Sequence, residues 1–220
     1  MFSAYKLSLH NQSLWLSHER CIYWENKNAL ILSDLHFGKS GHFRKSGIAV
    51  PQDIFKEDLH RLYSQIQIFN CELIIVVGDL FHSYANKEMD LFLEWRKDTP
   101  SLKIQLVKGN HDILKSSFYE QANVQISPNA FTIKPFCFIH DIAKSCNAAV
   151  KSESYTFTGH IHPGIRVNGI GKQSLKLPCF HFSQHFAVLP AFSKFTGLSN
   201  FTRKPGDQVF ALVENKIIEM

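Results

Sequence analysis

Three short apolar runs in this chain each end in a small residue followed by a polar metal-ligating type. Ala29–Leu32 runs into Ser33-Asp34, Leu73–Val77 into Gly78-Asp79, and Lys103–Val107 into Gly109-Asn110. A continuous apolar run of this length reads as a strand buried on both faces, the kind found in a parallel sheet. Parallel strands need crossover connections, and the sequence supplies them. Residues 52–69 place Ile54, Phe55, Leu59, Leu62, Tyr63, Ile66 and Phe69 at three- and four-residue steps, with Pro51 beside the helix start. Residues 87–97 bring Met89, Phe92, Leu93 and Trp95 inward in the same way. The pattern predicts two β-strand–helix–β-strand units in the first half of the chain.

The flanking segments read differently. Leu7, Leu9, Leu14 and Leu16 alternate with polar residues around Asn11-Gln12, and Cys21–Trp24 forms another short run, so residues 1–33 read as short strands with a hairpin. The second half is rich in strands and poor in helices, with candidates at Phe131–Ile139, Tyr155–Thr158, Lys176–Phe182, Phe186–Leu189 and Val209–Val213. No internal repeat, low-complexity tract or linker interrupts the 220 residues, which fit one domain.

Five polar clusters fall at the ends of these strands. In Asp34-Leu35-His36, residues two apart in an extended segment point the same way, so a carboxylate and an imidazole can hold one metal together. Gly78-Asp79-Leu80-Phe81-His82 offers a carboxylate whose two oxygens can bridge two cations. Gly109-Asn110-His111-Asp112 offers a neutral oxygen ligand in Asn110. It also offers a candidate general acid in His111, with Asp112 expected to fix the imidazole's orientation. His140-Asp141 ends the run FCFIHD, and Gly159-His160-Ile161-His162 ends YTFTGHIH. Each has an ordinary reading: Gly-Asp is a common turn, and a lone His after an apolar run is more often a core residue. The set is what carries weight, because ligands of open α/β sheets bind outside the carboxyl ends of the strands. The donors are nitrogen and oxygen without sulfur, which suits manganese first, with iron, zinc or cobalt as alternatives.

In this order, Asp-x-His, Gly-Asp, Gly-Asn-His-Asp, His and Gly-His-x-His over residues 34–162 resemble the calcineurin-like metallophosphoesterases. The resemblance implies a four-layer α/β/β/α sandwich of the metallo-dependent phosphatase type, spanning residues 1–220 as a single domain. It implies two divalent metal ions, one held by Asp34, His36, Asp79 and His162, the other by Asp79, Asn110, His140 and His160. His111 would be the proton donor, with Asp112 behind it. The stretches SDLHFGKSGHFRKSGIAVP, GDLFHS, TGHIHP, LPCF and LPAFSKFTG further resemble the ligase-associated DNA damage response endonuclease family, often called PdeM. That narrower resemblance implies a phosphodiesterase or endonuclease acting on DNA in repair, in association with a DNA ligase and helicase.

Charge and composition set the remaining expectations. The net charge of +5 suits an anionic substrate, including nucleic acid. Lys39, His42, Arg44 and Lys45, in a basic loop just past the first ligands, are expected to meet the substrate's phosphate oxygens or a DNA backbone, the alternative being a solvated loop, and His82 is expected either to support a ligand or to touch the substrate. Phe37 and Phe43 read as core or lid packing ahead of base stacking. His181 and His185 are expected nearest the pocket among the other histidines, between LPCF and LPAF. The five cysteines lack any CxxC and read as reduced thiols. No long apolar run marks a membrane span, and the start MFSAYKLSLHNQ has no signal-peptide core, so a cytoplasmic location is the expectation.

Two other functions use the same clusters. One is a small-molecule phosphomonoesterase or cyclic-nucleotide phosphodiesterase. The other is a non-catalytic scaffold, which predicts eroded ligands, whereas all seven ligand side chains and His111 are in place.

Overall fold

Each central strand divides its side chains between two cores, and this division places the polar clusters. The computed structural model describes residues 4–45, 47, 53–82, 86–145, 154–169 and 173–220. The chain begins with three antiparallel strands, β1 (Ala4–Leu9), β2 (Gln12–Ser17) and β3 (Cys21–Trp24). The β1–β2 turn is His10-Asn11, both at positive φ, which gives the twist a two-residue hairpin needs. Then follow β4 (Ala29–Leu32), α1 (Lys39–Lys45), α2 (Asp53–Phe69), β5 (Leu73–Val76), α3 (Lys87–Asp98), β6 (Lys103–Val107), α4 (Ser116–Gln121) and β7 (Val124–Ser127). These seven strands form one sheet in chain order, antiparallel up to β4 and parallel from β4 to β7.

The remaining strands are β8 (Phe131–Ile133), β9 (Phe136–Phe138), β10 (Tyr155–Thr158), β11 (Pro163–Asn168), β12 (Ser174–Phe182), β13 (Phe186–Val188), β14 (Ser199–Asn200), β15 (Gln208–Val213) and β16 (Lys216–Glu219). Among the described residues they form a second, nine-stranded sheet in which β10 runs parallel to both β9 and β13.

Leu30, Leu32, Ile74, Val76, Ile104 and Leu106 face the helices, packing on Leu62 and Ile66 of α2 and on Met89 and Phe92 of α3. Their chain neighbours Ala29, Ile31, Ile75, Val77 and Val107 face the second sheet, against Phe136, Phe138, Phe157, Phe180 and Phe210. The period-two alternation of a strand thus builds a helix–sheet core and a sheet–sheet core at once. Burying side chains of this size contributes roughly 1.5–3 kcal/mol each. The result is the expected sandwich of two sheets flanked by helices. Among the described residues all four α-helices precede Ala122.

Some expectations need correction. Phe131–Ile139 is not one strand, because the chain turns at Lys134-Pro135 and pairs back on itself as β8 and β9. The basic stretch after Gly38 is a helix, α1, rather than a loop. Pro51 lies outside the described residues. Cys21, Cys71, Cys137 and Cys179 are buried free thiols, and Cys146 lies outside the described residues. No helix among the described residues is long and apolar enough to cross a membrane.

Candidate metal centre

Past their parallel strands, the first two polar clusters continue side by side. Asp34 N–H donates to the Gly78 carbonyl (3.0 Å), His36 N–H to that of Asp79 (2.9 Å), and His82 N–H to that of Phe37 (2.8 Å). The strand ends thereby become a laced, buried shelf. Five residues of the clusters break from extended backbone: Asp34, His36 and Asp79 on this shelf, and His160 and His162 after β10, all lie at positive φ, from 50° to 67°. A side chain with a Cβ loses roughly 1–2 kcal/mol in that region. Strain concentrated in this way is typical of functional sites, where the surrounding structure holds it in place.

The side chains converge. Nitrogen and oxygen atoms of Asp34, His36 and His162 lie within 4.8 Å of one another, as do those of Asp79, His140 and His160. The two groups meet at Asp79, whose Oδ2 is 3.3 Å from Nε2 of His140 and 3.9 Å from Nε2 of His36. Asn110 Oδ1 stands 3.1 Å from His140 Nε2. Asp34 Oδ1 is 3.2 Å from His162 Nε2 and 4.0 Å from His36 Nε2. All seven expected ligand side chains are therefore together. Close approach demands glycine at three points, the first being Gly159, where a Cβ would overlap Ser33 Oγ beside the Asp34 carboxylate. A Cβ on Gly78 would overlap the His140 imidazole, and one on Gly109 would overlap the Asp79 carboxylate.

The electrostatics suit a cation. His36 is buried and its Nε2 has no hydrogen-bond partner. Burial pushes its protonated form down to about 3, against the pull of Asp34 and Asp79, so the ring is neutral with a free lone pair. Burial alone would raise Asp79, but His140 and the His111 N–H hold it at about 2, fully ionised. Burial likewise disfavours charged His140, yet Asp79 and the Val77 carbonyl lift it to about 9. A bound cation would take the place of that proton, since imidazole ligates only when neutral.

Several supporting residues escaped the sequence reading. Ser33 Oγ lies 2.6 Å from Asp34 Oδ2 and 2.7 Å from the Val77 carbonyl, which fixes the Asp34 carboxylate. The LPAF segment backs the same residue, with Phe192 N–H donating to the Ser33 carbonyl and Ser193 N–H to that of Asp34. Arg20 and Arg61 hold that segment through the carbonyls of Ala191, Phe192 and Ser193. Partly buried arginines far apart in sequence leave no local signal of such a role.

Other placements correct the expectations. Asp112 does not sit behind the His111 imidazole. Its Oδ2 accepts from the N–H groups of Asp79 and Gly109, both at 2.9 Å, and its Oδ1 accepts from Phe81 N–H at 3.0 Å. Three backbone donors consume the carboxylate, so it clamps the second and third clusters together. Burial raises its pKa to about 6 despite those donors. His111 instead stacks on His82, with ring centroids 4.4 Å apart, and its own N–H donates to Asp79 Oδ1. His82 Nδ1 lies 3.3 Å from His36 Nδ1, so His82 stands against a ligand and the expected acid at once.

Lys39 is half-buried beside the carboxylates. Burial lowers its pKa, and the charges of Asp34 and Asp79 oppose that shift. Arg44 is partly exposed and its guanidinium lies 2.9 Å from buried Glu88 on α3, which ties the two helices together. The His42 and Lys45 side chains lie outside the described residues. Phe37 is core, as expected, and Phe43 packs on Phe195. His181 is buried against Asp207 and Phe201, and His185 follows it at the β12–β13 turn, so neither joins the cluster.

Comparison with known proteins agrees with this geometry. A nuclease of Pseudomonas putida, MPE, has a solved structure that superposes with a TM-score of 0.83 at 25% identity, over 99% of this chain and 100% of that one. No curated protein matches the sequence significantly. The family model for calcineurin-like phosphoesterases matches residues 27–212. With the strands, the clusters and that match in agreement, the chain belongs to the calcineurin-like phosphoesterase family.

Proposed function

We propose that this phosphoesterase is a dinuclear-metal phosphodiesterase that cleaves DNA, with Asp34, His36, Asp79 and His162 around one cation and Asp79, Asn110, His140 and His160 around the other. The observation that carries this reading is the meeting of two His/Asp groups, buried at Asp34, His36, Asp79 and His140, at one carboxylate, Asp79. The unpartnered Nε2 of His36 and the absence of sulfur donors fit divalent cations, manganese foremost. When bound, two such ions neutralise charge on the phosphate and lower the pKa of a water to near neutrality.

The chain's own residues have distinct tasks. Asp79 keeps both groups in register through the His111 N–H and the His140 ring. His111, at the edge of the cluster, donates a proton to the leaving oxygen as its bond to phosphorus breaks and a bond from water forms, the water's proton passing to solvent, from which His111 is reprotonated. General acid catalysis of this kind supplies about 10²–10⁴-fold. His82 holds the His111 ring by stacking, and Lys39 meets a non-bridging phosphate oxygen.

DNA as substrate is supported by the net charge of +5, by the likeness to the Pseudomonas putida nuclease, and by the stretches shared with the ligase-associated repair family. That last likeness also supports association with a DNA ligase and helicase. The test is hydrolysis, with Mn²⁺, of bis-p-nitrophenyl phosphate, p-nitrophenyl phosphate, a cyclic nucleotide, and single-stranded and nicked DNA. Cleavage of the diester and of DNA is expected. Turnover of the monoester alone would sink the nuclease reading.

A further inference from the structure

Past His162 the chain leaves the metal centre as the hairpin of β11 and β12. Pro163 opens β11 directly after that histidine, and β12 returns antiparallel to it. β12 also runs antiparallel to β13, whose last residues lie beside those of β10, so the first residues of β12 project from the metal edge. Phe180 and Phe182 of β12 face the core between the sheets. Side chains two apart share a face, so Pro178, Lys176 and Ser174 continue that inward face beyond the core. Their register partners Gly164, Arg166 and Asn168 complete it. Leu175 and Leu177 take the other side, with Val167 and Ile165 opposite them.

Two features of the inward face point to a polyanion. Arg166 and Lys176 stand directly opposite each other, a relation in which like charges weaken an antiparallel pair. The face has no carboxylate to offset them, and neither forms an ion pair among the described residues. Lys176 Nζ donates to the Leu198 carbonyl, which fixes the ammonium without neutralising its charge, and Arg166 is exposed. The second feature is continuity with the metal centre. Lys39, beside Asp34 and Asp79, has its Nζ 5.9 Å from the ring centroid of Phe195, three residues before Leu198. One short segment thus links the cation at the centre to those on the hairpin. Four residues of chain lead from His162 to Arg166, a reach of at most about 13 Å.

We propose that this face binds the backbone of the DNA strand beyond the scissile phosphate, with Arg166 and Lys176 sharing one phosphate. This binding rests on the reading of the chain as a DNA-cleaving phosphodiesterase, and adds a substrate contact made without metal. Side chains directly opposite on one face start about 4.5–5.5 Å apart, close enough to grip one phosphate from both strands. The guanidinium supplies two parallel donors and the ammonium a point charge. A bound phosphate also relieves the repulsion that the facing cations place on the free hairpin. Contacts of this kind position a strand without reading its bases.

The probes are bis-p-nitrophenyl phosphate, thymidylyl-thymidine and hexathymidylate, hydrolysed by the full chain with Mn²⁺. The first two are too short to reach the hairpin, and hexathymidylate spans it. For the parent, kcat/KM per phosphodiester is expected to be about fivefold or more higher on hexathymidylate than on thymidylyl-thymidine. Arg166→Gln combined with Lys176→Gln is expected to abolish that gain. The dependence of log kcat/KM on log salt for hexathymidylate should flatten by about 0.7, the value for one phosphate of a single strand. Bis-p-nitrophenyl phosphate is expected to be turned over at the parent rate. Glutamine at 176 keeps a donor for the Leu198 carbonyl, and removing the facing charges favours the strand pair, so folding is retained. Equal efficiency on the two thymidylates, a gain that the double variant keeps, or an equal loss on bis-p-nitrophenyl phosphate would each overturn the proposal and leave the nuclease reading standing. A parent that cleaves neither thymidylate while hydrolysing p-nitrophenyl phosphate would overturn both.

Discussion

Asp79 Oδ2 stands 3.3 Å from His140 Nε2, and this contact joins the second polar cluster of the first sheet to a ligand delivered by the second sheet. The same oxygen is 3.9 Å from His36 Nε2, so one carboxylate serves both groups. Asp79→Asn keeps the shape and removes the charge. Loss of a mere supporting partner costs about 10–100-fold in metal affinity or activity, so hydrolysis is expected to fall by at least about 100-fold here. Steady-state kinetics together with metal analysis check this, with fewer than two ions retained per chain.

Gly78 lies at φ +88° with the His140 imidazole where a Cβ would stand. Gly78→Ala therefore combines left-handed strain with displacement of a ligand. Stability is expected to drop by about 1 kcal/mol or more, and metal affinity with it. Thermal unfolding with and without Mn²⁺ measures both. A variant as stable as the parent, with unchanged metal response, would contradict the close packing.

Asp112→Asn separates two roles for that carboxylate. As a clamp on three backbone N–H groups, it cannot be replaced by an amide with one acceptor oxygen. A loss of about 1–3 kcal/mol in stability is expected for each N–H left unpaired. If it acted instead by orienting His111, stability would hold and only substrates with poor leaving groups would slow. Denaturant unfolding, paired with rates on good and poor leaving groups, distinguishes these outcomes.

The first-half architecture was legible because buried parallel strands are continuous apolar runs, and Lys103–Val107 was bounded correctly from the sequence alone. The convergence of the candidate ligands was legible for a related reason. Asp34, Asp79 and Asn110 follow such runs within three residues, and strand ends are where sites form. Their partners were not legible. Ser33, Arg20 and Arg61 act through contacts between segments 44 to 173 residues apart, which no spacing rule reaches. Helix α1 was missed because Gly41 and its many charges hide the apolar period. The role of Asp112 was misread because adjacency to His111 in sequence does not mean contact with its ring.

Glu19 and Arg61 tie the N-terminal hairpin to α2 and to the Phe192 carbonyl behind Asp34. Burial, the largest influence on Glu19, pushes its carboxyl up. Hydrogen bonding and charge from Arg61, with Lys194 and His18, outweigh burial and hold it below its ordinary value of 4.5. The folded state thus binds this proton less readily than the unfolded chain does. Its contribution to stability is complete above the unfolded value and disappears as pH falls through the lower folded one. Glu19→Gln is expected to lower the melting temperature at pH 7, with the gap to the parent closing below pH 4.5. A gap that widens on acidification would contradict the pairing.

The central claim is that Asp34, His36, Asp79, Asn110, His140, His160 and His162 form one centre for two cations. Its most direct measurement is a count of Mn²⁺ bound per chain at equilibrium, taken alongside diester hydrolysis across the same titration. Two ions per chain, with activity rising as the second site fills, is the expected result. One ion per chain at full activity, or hydrolysis that persists after chelation, would contradict it.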